Sequence, residues 1–370
     1  MPRPMHCSAG NTGKAMNFPG KVKLNACYHS TLNAFNMNEN LTLKTRFKQF
    51  TSVLSVIICT ILLVGADVIA QKPKKTSGQP VVAFEQKPGE LTITIGGKPF
   101  ASYVYEDPKI SRPYFAHVKS SCGIQVTRNY PPQEGDPKDH ATFHPGIWLS
   151  FGDINGNDYW RLKSKVEHEM FVEQPKGGAG SGTFTVRNYY MTADGKDRLL
   201  AELVKYTILI RPSGTLLLTN STFSSETTDL AFGDQEEMGL GVRVNTKFTV
   251  QYGKGHLTNA EGLKEGAGTW GKASKWVDYS GIVDDKNVGV TVMPDPGNFR
   301  PSWFHTRDYG LMAANAFGRE AMKQGEKSSI AVKKGEKFEL GYGVLIYCKS
   351  KGEKTDIEGA YQDYLQVLKD

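Results

Sequence analysis

The sequence predicts an all-β protein, a large antiparallel β-sandwich closed by one C-terminal helix. From Val81 onward, short runs alternate apolar and polar residues, the period of strands with one buried face. Gly, Pro, Asn and Asp interrupt these runs at short intervals. Only one segment, near the C terminus, spaces its apolar residues as a helix does.

The first such run is LTITIGGKPFASYVY (91–105), punctuated at GGKP. GTFTVRNYYM (182–191), LVKYTILIR (203–211) and GTLLLTNSTF (214–223) follow, the last two separated by RPSG. RVNTKFTVQY (243–252) and VGVTVM (288–293) read as strands, and PDPGN breaks the chain after the second. KFELGYGVLIY (337–347) completes the series; all are rich in Val, Ile, Thr and Tyr. In Asp356–Lys369, Ile357, Tyr361, Tyr364, Leu365 and Leu368 share a helical face, with Asp356 as the cap. So many strands in a body this long suit a two-sheet supersandwich or two fused sandwiches. No repeat and no internal boundary are visible, so 81–370 reads as one domain.

The region before Val81 is different. Val53–Ala66 is the one continuously apolar stretch, shorter than the roughly 20 residues of a membrane-spanning helix. Lys44, Arg46 and Lys48 precede it and small residues follow it, the parts of a secretory signal peptide with cleavage after Ala70. The alternative is an uncleaved N-terminal anchor. A start at Met37 gives that signal ordinary length, so 1–36 read as a gene-model extension, 37–70 as the signal and 71–80 as a linker. The expectation is an exported bacterial protein, periplasmic or extracellular, without a stable membrane span in its mature form.

This division reassigns the charge. The chain carries 45 basic and 38 acidic residues, a net of +7, but 7 of the basic and 2 of the acidic ones lie in 1–70. The remainder is 38 against 36, which gives no argument for nucleic acid. Cys122 and Cys348 are the cysteines after residue 70; in an exported protein they pair, or else both are buried thiols. No P-loop, Rossmann or GxSxG pattern occurs.

Chemistry-bearing residues fall into four clusters. DHATFHPGIWLSFGDINGNDYW (139–160) supplies His140, His144, Trp148, Asp153 and Asn155. On a helix, His140 and His144 would share a face, as in zinc proteases, but Pro145 and Gly146 oppose a helix and the HExxH glutamate is missing. In 301–310, extended chain puts Trp303, His305 and Arg307 on one face, a set suited to stacking on a ligand, moving a proton and fixing an anion or hydroxyl pair. In 234–244, Glu237 and Arg243 flank what reads as a glycine-rich turn. The fourth cluster, 271–279, holds Trp276 and Asp278. All 5 tryptophans (148, 160, 270, 276, 303) sit in or near polar clusters, a common mark of a sugar cleft, the alternative being tryptophans that simply pack the core of a large sandwich.

These clusters resemble the DUF6807 family, which also carries the label "PmoA family" or methane oxygenase PmoA. The matching pieces are RPYFAHVKSSCGIQVTRNYP (112–131), the 139–160 segment, GLGVRV (239–244), the W-x-D-Y at Trp276, DPGNFRPSWFHTRDYG (295–310) and ANAFG (314–318). They occur in family order over about 110–320. One departure is that the family's DHPHH-like run reads DHATFH here, with His140 matching the first histidine. The resemblance implies a secreted sandwich in the style of sugar mutarotases and polysaccharide lyases. A methane-oxidising membrane subunit does not fit a body without a span.

The resulting expectation is an exported carbohydrate-active enzyme that binds a glycan or oligosaccharide. His140, His144 and His305 are the acid/base candidates, with Glu237 or Asp153 as carboxylate partner. Arg243, Arg307, Trp148, Trp276, Trp303, Asn155 and Asp278 are the substrate-binding candidates. Hydrolase, lyase and epimerase use the same residue types and stay open. Two alternatives are a non-catalytic glycan-binding envelope protein and an enzyme with a divalent metal on the histidines. No cofactor is assigned. The residues forecast to converge in one cleft are His140, His305, Arg243 and Glu237.

Overall fold

The computed structural model describes residues 78–369. The expected extension, signal peptide and most of the linker (71–77) lie outside the described residues, and 78–80 have no regular structure.

Eighteen strands run through the described residues. The first five are β1 (Val81–Lys87), β2 (Glu90–Ile95), β3 (Lys98–Val104), β4 (Tyr114–Ala116) and β5 (Ile147–Phe151). Four long ones follow: β6 (Val166–Ala179), β7 (Ser181–Met191), β8 (Arg198–Arg211) and β9 (Gly214–Ser224). Then come β10 (Leu230–Phe232), β11 (Met238–Arg243), β12 (His256–Asn259), β13 (Val277–Val283) and β14 (Lys286–Pro294). The last are β15 (Trp303–Arg307), β16 (Leu311–Asn315), β17 (Ile330–Val332) and β18 (Lys337–Ser350). Helices α1 (Val250–Gly253) and α2 (Glu265–Thr269) are single turns, and α3 (Ile357–Val367) is the C-terminal helix.

All strand pairs are antiparallel. One sheet has the order β12-β13-β14-β18-β9-β8-β7-β6, and the other β1-β2-β3-β4-β5-β11-β16-β15. Val81 and Val82 pair with Ala179 and Gly178, which joins the two at one edge. The two sheets face each other across a continuous apolar core. Tyr103 and Phe115 of the second sheet meet Tyr206 of the first at ring distances of 5.1 and 5.0 Å, and Phe151 meets Phe223 at 5.5 Å. Alternation along each strand sends every second side chain into this layer. The architecture is therefore the large antiparallel sandwich with a C-terminal helix that the alternating runs predict.

The helix begins where expected. The Asp356 carboxylate accepts from the Gly359 amide, and Tyr361 and Tyr364 bury against Leu216, Leu218, Met293, Leu345 and Tyr347 on the outer face of the first sheet. Cys122 and Cys348 form a disulfide that ties the loop after β4 to β18.

Two local expectations are corrected. RVNTKFTVQY is not a strand: after Arg243 the chain makes a 3-10 turn (Thr246–Phe248) and then α1. Asn245 and Thr249 cap these turns with side-chain oxygens on the Lys247 and Tyr252 amides, and Phe248 is buried. Capping thus overrides an alternating pattern. The glycines before Arg243 do not form a turn but lie inside β11. A Cβ on Gly241 would sit 2.5 Å from the Trp148 indole, so glycine there lets that ring lie close against the sheet.

Candidate active site

The site is built on the face of the second sheet that points away from the core. Phe304 and Thr306 turn inward from β15, so Trp303, His305 and Arg307 project to the other side. Register places His305 opposite Ala313, and places Gly241 between Ala313 and Trp148. Arg243 and Arg307 both lie opposite Leu311. Small residues at 241 and 313 leave room above the strands for side chains arriving from loops.

The largest of these loops, 117–146, inserts two histidines between Tyr309 of the β15–β16 turn and Trp148 of β5, completing a column of near-parallel rings over the sheet. Tyr309 stacks on His140 (5.6 Å, 21°), His140 on His144 (4.7 Å, 13°) and His144 on Trp148 (5.1 Å, 21°). Guanidinium groups cap both ends, Arg243 over Tyr309 at 4.3 Å and Arg112 over Trp148 at 5.4 Å. No helix brings the two histidines together. One turn does, in which the His144 amide donates to the His140 carbonyl at 3.1 Å while His140 adopts a left-handed backbone (φ 49°).

His140 is held from behind. Arg243, 3% exposed as a side chain, grips both Asp139 oxygens at 2.8 and 3.0 Å, and Asp139 Oδ2 lies 3.0 Å from His140 Nδ1. Arg128 ties the same loop through the Asp139 and Pro137 carbonyls. Burial alone would raise the Asp139 carboxyl. Hydrogen bonds from Arg243 and His140, with the charges of Arg243 and Arg128, bring it down to about 2 instead. An ionised Asp139 orients Nδ1–H toward itself and turns Nε2 outward.

His305 is anchored through a different loop. Its Nδ1 lies 3.3 Å from the Glu236 carbonyl, an acceptor only, so Nδ1 carries the proton and donates. Burial drives its pKa down, helped by the Arg307 charge and opposed by the Glu236 bond, to about 3. The Glu236 carboxylate is also 3.5 Å from Nδ1, but it is paired with Arg307 Nη2 at 3.2 Å, and the ring stays neutral. His305 feels the charges of both His140 and Arg161. No hydrogen bond to its Nε2 occurs among the described residues. Asn315 fixes this loop by donating to the Gln235 and Glu236 carbonyls at 2.8 and 3.0 Å.

Glu237, next along, pairs with Arg161, which also bonds Asp158. His144 serves differently from the other two histidines. It is 1% exposed, and the Trp160 indole donates to its Nε2 at 3.3 Å, so its basic nitrogen is taken. Burial, with the charges of His140 and three arginines, pushes it well below the ordinary histidine range. Among the described residues no group of three or more His, Cys, Asp and Glu is arranged to hold a metal ion.

A model described as a family of unknown function, DUF6807, matches residues 90–362. The chain belongs to the DUF6807 family. No curated protein matches it. Among solved structures, this DUF6807 chain is similar to the GH36 α-galactosidase AgaA of Geobacillus stearothermophilus, with 13% identity, 68% of this chain and 40% of that one covered, and a TM-score of 0.38. It is similar to a galactose mutarotase-like protein of Lactobacillus casei (11%, 72% and 100%, 0.34) and to the heparan sulfate lyase HepC of Pedobacter heparinus (11%, 75% and 36%, 0.33). The chain spans well under half the length of the galactosidase and the lyase.

Of the residues singled out in the sequence, the DUF6807 site gathers His140, His144, His305, Arg243, Arg307, Trp148 and Trp303 on one sheet face, with Glu237 at its edge through Arg161. Trp148 is 2% exposed inside the ring column and offers no face to a ligand. Trp303 is half-buried beside Arg300, 5.6 Å from its guanidinium. Asp153 and Asn155 instead shape a turn. Asp153 accepts from the Gly156 amide, and Asn155 (φ 51°) clasps β10 through Asp229 O and Ala231 N. Trp276 and Asp278 lie on the other sheet, where Trp276 donates to Glu358 of α3 and buried Asp278 accepts from Thr291 and Tyr347. They belong to the helix-covered face and not to this cluster.

Four contributors went unselected in the sequence: Asp139, Glu236, Arg161 and Tyr309. Asp139 and Glu236 sit beside selected residues, but all four lie in loops or turns, where alternation does not say which way a side chain points. No described helix is long and apolar enough to cross a membrane.

Proposed function

We propose that this protein is an exported carbohydrate-active enzyme in which His140 and His305 form an acid/base pair on a saccharide. The observation that carries the proposal is the different anchoring of the two rings, His140 on a carboxylate and His305 on a backbone carbonyl. His305 is neutral with Nδ1–H locked on the Glu236 carbonyl, which leaves the Nε2 lone pair to accept a hydrogen bond from a substrate hydroxyl. His140, with Nδ1 against ionised Asp139, presents Nε2 as the candidate partner on the other side of the saccharide. Asp139 is a positioning residue, and so is Arg243, since its guanidinium is spent on Asp139.

Trp303, on the same face as His305, supplies an aromatic surface for sugar C–H groups, and Arg307, whose Nη2 is paired with Glu236, offers its remaining N–H groups to a hydroxyl pair or carboxylate. The disulfide supports export, because such bonds persist in oxidising compartments.

The test is turnover of the purified protein on a panel of neutral and acidic oligosaccharides. His305→Gln and His140→Gln are each expected to lower kcat/KM by about 10²–10⁴-fold with saccharide binding retained. Unchanged turnover in both variants contradicts the proposal. Saccharide binding without turnover in the wild type replaces it with a non-catalytic glycan-binding protein.

A further inference from the structure

A hollow lies at the end of the sandwich where β1 begins, between the β2–β3 turn, the β8–β9 turn and the disulfide loop. It has a volume of about 350 Å³. That is within the range of small-ligand sites, roughly 300–1,000 Å³. Its floor includes Ile95, Phe100 and Ile210, and its rim carries Lys98, Lys119 and Lys349. Arg211, also in the lining, is committed to Asp363. No carboxylate lines the hollow. Lys349 reaches only the Pro212 carbonyl, at 3.4 Å. Neither Lys98 nor Lys119 has an acidic partner among the described residues.

Three amines around an apolar floor, with no counter-charge, raise the local potential and leave a place for an anion whose body is apolar. The Cys122–Cys348 bond holds the wall together, since it clamps Lys119–Gly123 to Cys348 and Lys349. We infer that this hollow is a binding site for an acyl-chain carboxylate, whose chain covers Ile95, Phe100 and Ile210 while its head group meets the lysines. The site shares no residue with the saccharide face, so the two proposals stand or fall separately.

The experiment titrates the full-length protein with decanoate, and with uncharged decanol as control, by calorimetry. The expected result is one decanoate per chain, bound at least about tenfold more tightly than decanol and more weakly as salt rises. The double variant Lys98→Gln/Lys119→Gln is expected to lose about tenfold in affinity with its melting temperature unchanged. Ile210→Trp, which fills the floor, is expected to abolish binding. No decanoate binding overturns the inference. So does decanoate binding that the lysine variant leaves intact, or affinity for decanol equal to that for decanoate. Recruitment to phosphatidylglycerol vesicles without decanoate binding also overturns it and makes the basic rim a membrane contact.

Discussion

His305 shows how a strand and a loop together set a protonation state. β15 aims its ring outward, but its neutrality comes from burial and from Arg307, two residues along on the same face. The consequence for stability has a definite sign. The folded pKa, about 3, is below the ordinary value of 6.5. The stabilisation is therefore complete above about pH 6.5 and lost as pH falls toward 3, because the unfolded chain takes up a proton that the folded one refuses. Each such proton is worth on the order of 1 kcal/mol per pH unit in that window. His144 and, at lower pH, Asp139 act in the same direction. Denaturant titrations of wild type and His305→Gln between pH 4 and 7 are expected to show a shallower slope in the variant, by about one proton. Parallel slopes would mean that His305 titrates normally.

At the scale of elements, the sequence carries the strands well and the loops poorly. The alternation in 301–310 places Trp303, His305 and Arg307 on one face because side chain and backbone obey the same period there. The acidic run 234–237 has no period, so nothing in it distinguishes Glu236, which meets His305, from Glu237, which turns to Arg161. Trp276 and Asp278 mislead for a related reason: their strand has the right polar-aromatic composition, but its outer face lies beneath α3. Asp278 is buried there without a cation, and its carboxyl is pushed up to about 6 by desolvation, against hydrogen bonds from Thr291 and other hydroxyls. A raised pKa means a cost that appears as pH rises past 3.8 and is complete above about 6. Asp278→Asn keeps an acceptor and removes the charge. It is expected to raise stability by about 1–3 kcal/mol at pH 8 and by little at about pH 3. An equal change at both values would show that packing, not charge, is responsible.

For the whole molecule, the sequence makes the two-sheet layering legible and leaves the strand order hidden. Short alternating runs specify which face is buried but not which strands pair, and β11, β16 and β15 extend the second sheet from positions after the long hairpins of the first. The disulfide is a global tie of this kind, across a separation of 226 residues. Closing so long a loop restricts the unfolded chain, so Cys122→Ala/Cys348→Ala is expected to cost about 2–5 kcal/mol of unfolding free energy under oxidising conditions. A loss below about 0.5 kcal/mol would show that the tie is not stabilising.

The central claim is that two histidines on one sheet face are kept in different states, His305 neutral with its proton on Nδ1 and His140 bound to an ionised Asp139. The most direct measurement is a ¹⁵N-imidazole NMR titration of the protein, assigned with His305→Gln and His140→Gln. The account predicts that His305 shows the neutral Nδ1–H tautomer at pH 7 and does not titrate down to pH 4. A His305 resonance that titrates between pH 6 and 7, or that carries its proton on Nε2, would contradict it.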